Sequence, residues 1–172
     1  MIIAAFAGTG KTTLAALYPQ TVVDFTCMPY KYLLEQGGSY TEASKADPSL
    51  IFHDDWPLNY FHAIKQNLSG DKILLIPPDF HVLYLLMKEG LDYTLCYPQR
   101  SAKESYRKRF LDRENTEEFL DIFIGNWDRF IDGLEMDQYG RHIVLQPNQF
   151  LGDVIDIPHF EQTVKQRQNY GG

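Results

Sequence analysis

The chain has 172 residues, 44% of them hydrophobic and 23% charged, which fits one globular domain with a sizeable core rather than two. Its net charge of −7 argues against a nucleic-acid surface as the main business, and no apolar run approaches the roughly 18 residues of a membrane span. Cys27 and Cys96 form no C-x-x-C pair, so neither a disulfide framework nor a structural zinc site is expected.

Ile2 to Phe6 reads as a strand. The same stretch, IIAAFA, is too short for a secretory signal and runs straight into Gly-Thr-Gly-Lys, so a cytoplasmic protein is expected. Thr12 to Leu17 starts a helix that Pro19 ends, and Thr21 to Phe25 (TVVDF) is a second strand. A helix is expected over Tyr30 to Gln36, then a loop, GGSYTEASKADPS. Pro57 to Leu68 is helical, with Pro57 suited to a first turn. Lys72 to Ile76 (KILLI) is a strand stopped by Pro77-Pro78, and Asp79 to Glu89 a helix closed by Gly90. Asp92 to Tyr97 (DYTLCY) is a strand stopped by Pro98. Two helices follow, about 101–113 and 116–134. In the second, Phe119, Phe123, Trp127 and Phe130 make an apolar stripe that reads as core. Arg141 to Leu145 (RHIVL) is the last strand, and a short helix is possible from His159 to Gln168.

Strands alternating with helices predict an α/β fold, a mostly parallel five-stranded sheet between two helical layers. In such sheets ligands gather at the carboxyl ends of the strands. Those ends hold the Gly8–Thr13 loop, Asp24, Asp79, Tyr97-Pro98 with Arg100 beyond it, and Gln146-Pro147-Asn148.

The loop reads F-A-G-T-G-K-T, with Ala5 where the pattern G-x-x-x-x-G-K-[ST] has its first glycine. Glycine lets the backbone bend around phosphate and aim successive N–H groups inward. Lysine reaches the β- and γ-phosphates, a Ser/Thr hydroxyl binds Mg²⁺, and the helix that follows adds its N-terminal dipole. Gly8, Thr9, Gly10, Lys11, Thr12 and Thr13 are therefore the candidate ATP site. Gly-Lys-Thr alone is a common tripeptide; its place between a first strand and a helix carries the assignment.

The order of elements from Ile2 to about Leu151, with AFAGTGKTT as the specific part, resembles the P-loop nucleoside monophosphate kinases, the adenylate and thymidylate kinase group. The tract YPQRSAKESYRKRF also looks like that of small nucleotide kinases of phages and bacteria. The resemblance implies a P-loop NTPase fold with a helical lid at about 98–115, an acceptor side at about 26–70, ATP and Mg²⁺ as cofactors, and small nucleotides as partners. It implies too that lid arginines close over the phosphates and that Gln146-Pro147-Asn148 borders the adenine.

The residues agree with a cationic lid. Residues 100–113, RSAKESYRKRFLDR, carry six basic and two acidic groups, a local +4 that leaves −11 for the rest of the chain. On a helix Arg100, Lys103 and Arg107 share one face, and Arg109 and Arg113 another. Arg100, Lys103 and Arg107 are taken with Lys11 as catalytic cations, and Arg109 as substrate-binding; a merely solvated charged helix is the plain alternative. Asp24 and Asp79 are placed to hold Mg²⁺ with Thr12 or to orient the acceptor, although Asp79 also suits the N-cap of the helix that follows.

One departure concerns the acceptor. The family grips the acceptor phosphate with an arginine before the third strand, and here the first arginine is Arg100. Lys31 takes that task, or the lid arginines do, or the acceptor is not a monophosphate; lysine cannot make the bidentate fork. Tyr30 and Tyr32 beside Lys31 suit a base stack or a core position. His53-Asp54-Asp55 reads as loop acids, not metal ligands. Rival readings are a nucleoside or small-metabolite kinase and a non-catalytic nucleotide-binding module. The N-K-x-D motif of GTPases is absent, Asn126-Trp127-Asp128 being the nearest approach.

Overall fold

The structure, a computed structural model, describes residues 1–34 and 50–170. The expected loop at 37–49 and the end of the helix drawn to Gln36 lie outside them. In chain order the elements are β1 (Ile2–Ala5), α1 (Lys11–Leu17), β2 (Val22–Asp24), α2 (Met28–Lys31), β3 (Tyr32–Leu34), β4 (Leu50–Phe52), α3 (Leu58–Asn67) and β5 (Ile73–Ile76). Then come α4 (Phe80–Lys88), β6 (Tyr93–Pro98), a 3-10 turn (Arg100–Ala102), α5 (Lys103–Asp112), α6 (Glu117–Leu120), α7 (Trp127–Glu135), β7 (Arg141–Leu145), α8 (Leu151–Val154) and α9 (Ile157–Tyr170).

Five strands form one parallel sheet in the order β2-β5-β1-β6-β7. Ile2 pairs with Leu74 on one side and Tyr93 on the other, so β1 is central. Its residues alternate between two cores, as the period-2 pleat requires. Ile2 and Ala4 join Phe6, Tyr60, Leu83, Tyr106 and Trp127 beneath α3, α4, α5 and α7. Ile3 and Ala5 join Leu14, Leu145, Leu151 and Ile157 beneath α1, α8 and α9. Both faces of β1 and β5 are buried, which is why IIAA and ILLI are apolar throughout.

Phe6, just past β1, is the hub of the first core. Its ring makes edge contacts with Tyr106, Phe123, Trp127 and Phe130 at centroid distances of 5.7–6.2 Å. The aromatic stripe is therefore core, with Trp127 0% exposed.

Two expectations are corrected. Tyr32–Leu34 is not helix: it pairs antiparallel with Leu50–Phe52, and the helix ends at Lys31. Tyr32 against Phe52 supplies the cross-strand aromatic pair that favours the hairpin. The helix expected over 116–134 is interrupted by a wider π-type turn at Asp121–Gly125, where the Asn126 side chain donates to the Asp121 and Ile122 carbonyls. No helix among the described residues is long and apolar enough to cross a membrane.

Candidate functional site

The parallel sheet brings the ends of β1, β2, β5 and β6 to one edge. Leaving β1, the chain turns through Gly8 (φ 76°) and Gly10 (φ 93°), both in the left-handed region that glycine alone enters freely. Gly8 is fixed on a second ground: a Cβ there would stand 2.6 Å from the Phe110 ring. Thr9 is buried, with its hydroxyl donating to Phe6 O at 2.8 Å and its carbonyl accepting from Leu151 N at 2.9 Å. The bend is thus held from α5 on one side and from α8 on the other.

Lys11 curls back beneath the loop. Its ammonium donates to Ala5 O at 2.8 Å and Phe6 O at 3.0 Å. Burial pushes its pKa down from 10.5 to about 8, against the pull of Asp24 and with the help of the Arg113 guanidinium. Thr12 Oγ1 donates to Asp24 Oδ2 at 2.6 Å, so the carboxylate ending β2 meets the first turn of α1. These are two hard oxygen donors of the kind Mg²⁺ takes while keeping several waters. Thr13 is exposed at a cavity of about 250 Å³ lined by Gly10, Leu14, Leu17, Phe150 and Gly152.

Asp79 serves as an N-cap. Its Oδ1 accepts from His81 N at 3.0 Å and Val82 N at 3.4 Å. Its other oxygen faces Lys31 Nζ at 3.6 Å, and that ammonium also lies 5.1 Å from the Trp56 ring centroid. Tyr30 packs against Phe25 and Tyr60, in the core. Cys27, between these groups, is buried, which raises its thiol to about 11 despite nearby Lys31.

The cations of 100–113 divide. Arg100 pairs with Asp128, Asp132 and Glu135 at 3.3, 2.5 and 2.8 Å, and Lys103 lies 3.9 Å from Asp128, all acids of α7. Arg107 is exposed, without a carboxylate partner among the described residues. Arg109 turns the other way, donating to Gly8 O at 2.8 Å and Pro147 O at 3.0 Å. The sheet edge thus gathers the Gly8–Thr13 loop, Asp24 and Arg109, with Lys31 and Asp79 adjoining; Arg100 and Lys103 are drawn to α7. Arg113, absent from the sequence-based site, stands close enough to act on Lys11. Its i, i+4 spacing from Arg109 was the available signal. Tyr106 and Phe110, both 0% exposed, hold α5 down on the core.

The sequence matches no protein-family model and none of the curated proteins compared with it.

Proposed function

We propose that the protein is an ATP-dependent kinase that transfers the γ-phosphate to a nucleoside or deoxynucleoside monophosphate. One observation carries the reading: a loop bent at two left-handed glycines holds Lys11 and sets the Thr12–Asp24 pair beside it at the sheet edge. Its resemblance to the P-loop kinases supports the same assignment. Donor phosphates lie along the loop N–H groups, and Lys11 leaves the Ala5 and Phe6 carbonyls to meet them. An arriving polyanion restores full charge to an ammonium whose pKa burial depresses. Thr12 and Asp24 would hold Mg²⁺, which supplies neutralisation of charge on the phosphate oxygens. Arg113 adds positive charge from the C-cap of α5. Positioning and electrostatics then carry an in-line transfer with no covalent enzyme intermediate.

On the acceptor side the described lysines are Lys31 and Lys65, and Lys65 is paired with Glu89 at 2.8 Å. Lys31 already faces Asp79 and Trp56, which favours a second reading: a nucleoside or small-metabolite acceptor with no phosphate of its own. A coupled ATP-consumption assay with Mg²⁺ separates the two. Turnover with a monophosphate, reduced at least about 100-fold in Lys11→Ala, supports the first reading. Turnover only with nucleosides supports the second. ATP binding with no acceptor-stimulated turnover leaves a binding module and sinks both.

A further inference from the structure

Both arms of the Arg109 guanidinium are spent on backbone, one on Gly8 O and one on Pro147 O. Its flat faces are covered by Tyr106, 4.3 Å from the guanidinium carbon to the ring centroid, and by Phe150 at 4.0 Å. A group so enclosed is built into the frame of the site. What it bonds to is specific. The Gly8 carbonyl belongs to the same peptide as the Thr9 N–H. A cation on that oxygen polarises the amide and strengthens the N–H as a donor, as in any hydrogen-bonded chain. The next peptide is treated alike, because Thr9 O accepts from Leu151 N.

We propose that Arg109 is a positioning residue: it fixes and polarises the Gly8–Thr9 peptide so that the loop N–H groups are set for a polyphosphate, and it does not itself touch the transferred group. This rests on the reading of the loop as a donor site, and it moves Arg109 out of the substrate-binding set in which the sequence places it. Phe150 acts with it. The ring braces the guanidinium on one side and lies against Gly10 on the other, where an added Cβ would meet it at 3.3 Å.

The test is calorimetric titration of the full chain with tripolyphosphate, which has phosphates but no base or sugar. Wild type binds. Arg109→Ala and Arg109→Lys both weaken binding about 10- to 100-fold, since an ammonium cannot span two carbonyls. Phe150→Ala weakens it by a smaller factor, and the Thr9 amide proton moves upfield in both Arg109 variants while unfolding midpoints confirm that they fold. If Arg109→Lys binds like wild type, a point charge suffices and the inference is overturned. The same follows if Arg109→Ala loses affinity for ATP but keeps it for tripolyphosphate, which would make Arg109 a base contact. If wild type binds neither ATP nor tripolyphosphate, the donor-site reading falls first.

Discussion

The two halves of the 100–113 segment both carry net positive charge, and their cations meet opposite fates. Arg100 and Lys103, in the first half, are matched by carboxylates of α7. Arg109, in the second, is matched by carbonyls of the glycine loop and the β7–α8 turn. Tyr106 and Phe110 fasten the helix to the core. The exposed ion pairs join surface to surface, where water competes for both partners. The guanidinium, stacked on two rings, joins a helix to the loop and adds to the bonds that Leu151 and Asp24 make there. A run of like charge therefore states how much charge a segment has and leaves its destination to tertiary packing.

The largest way to disturb the first half is through its anchor. The Trp127 Nε1–H donates to Arg100 O at 2.9 Å, and its ring lies against Phe6 and Tyr106. Trp127→Ala is expected to cost about 3–5 kcal/mol in chemical denaturation. A loss below about 1 kcal/mol would mean that the segment does not depend on this core.

The loop that the second half braces is probed by pH. The folded pKa of Lys11, about 8, lies below its ordinary 10.5, so folding disfavours the charged form. That penalty is fully present below pH 8 and fades as pH rises toward 10.5, where the unfolded chain also loses the proton. Lys11→Met should be more stable than wild type at pH 7, by roughly 1–2 kcal/mol, with the margin shrinking by pH 9.5. A margin that does not change with pH would place the ammonium in water.

The smallest effect is reserved for Arg100. Arg100→Ala should leave turnover unchanged and lower Tm by no more than about 2 °C, less still in high salt. A hundredfold loss of turnover would break the comparison, because it would mean that the first half swings onto the phosphates when substrate binds.

Much of the sheet was legible because several of its strands are apolar runs stopped by Pro or Gly, as KILLI is by Pro77-Pro78. The hairpin was not. Its strands have three residues each, and Leu33, Ile51 and Phe52 are exposed, so neither length nor burial marks them. Thr12, Asp24 and Lys11 could be placed together because β1 and β2 end at the same edge. The fate of Arg100 could not, since its partners are 28, 32 and 35 residues further along. Asp79 had two readings that differ only in geometry, and the N–H groups of His81 and Val82 assign the cap.

The place of β1 in the sheet has a consequence for how the protein comes to be. Its partners on either side begin at Ile73 and Tyr93, and the amide of Phe6 closes on Cys96 O. A nascent chain therefore carries IIAAF with both edges open until residues near 76 have emerged, and with one edge open until residues near 98 have. Parallel pairing across such separations is slow, because the closure entropy must be met before contacts form. Until then this strand is a hydrophobic segment awaiting its neighbours, the kind that chaperones hold and that aggregation exploits. The loop hung on its end starts from a residue whose amide is held by β6, since Phe6 N donates to Cys96 O at 2.9 Å.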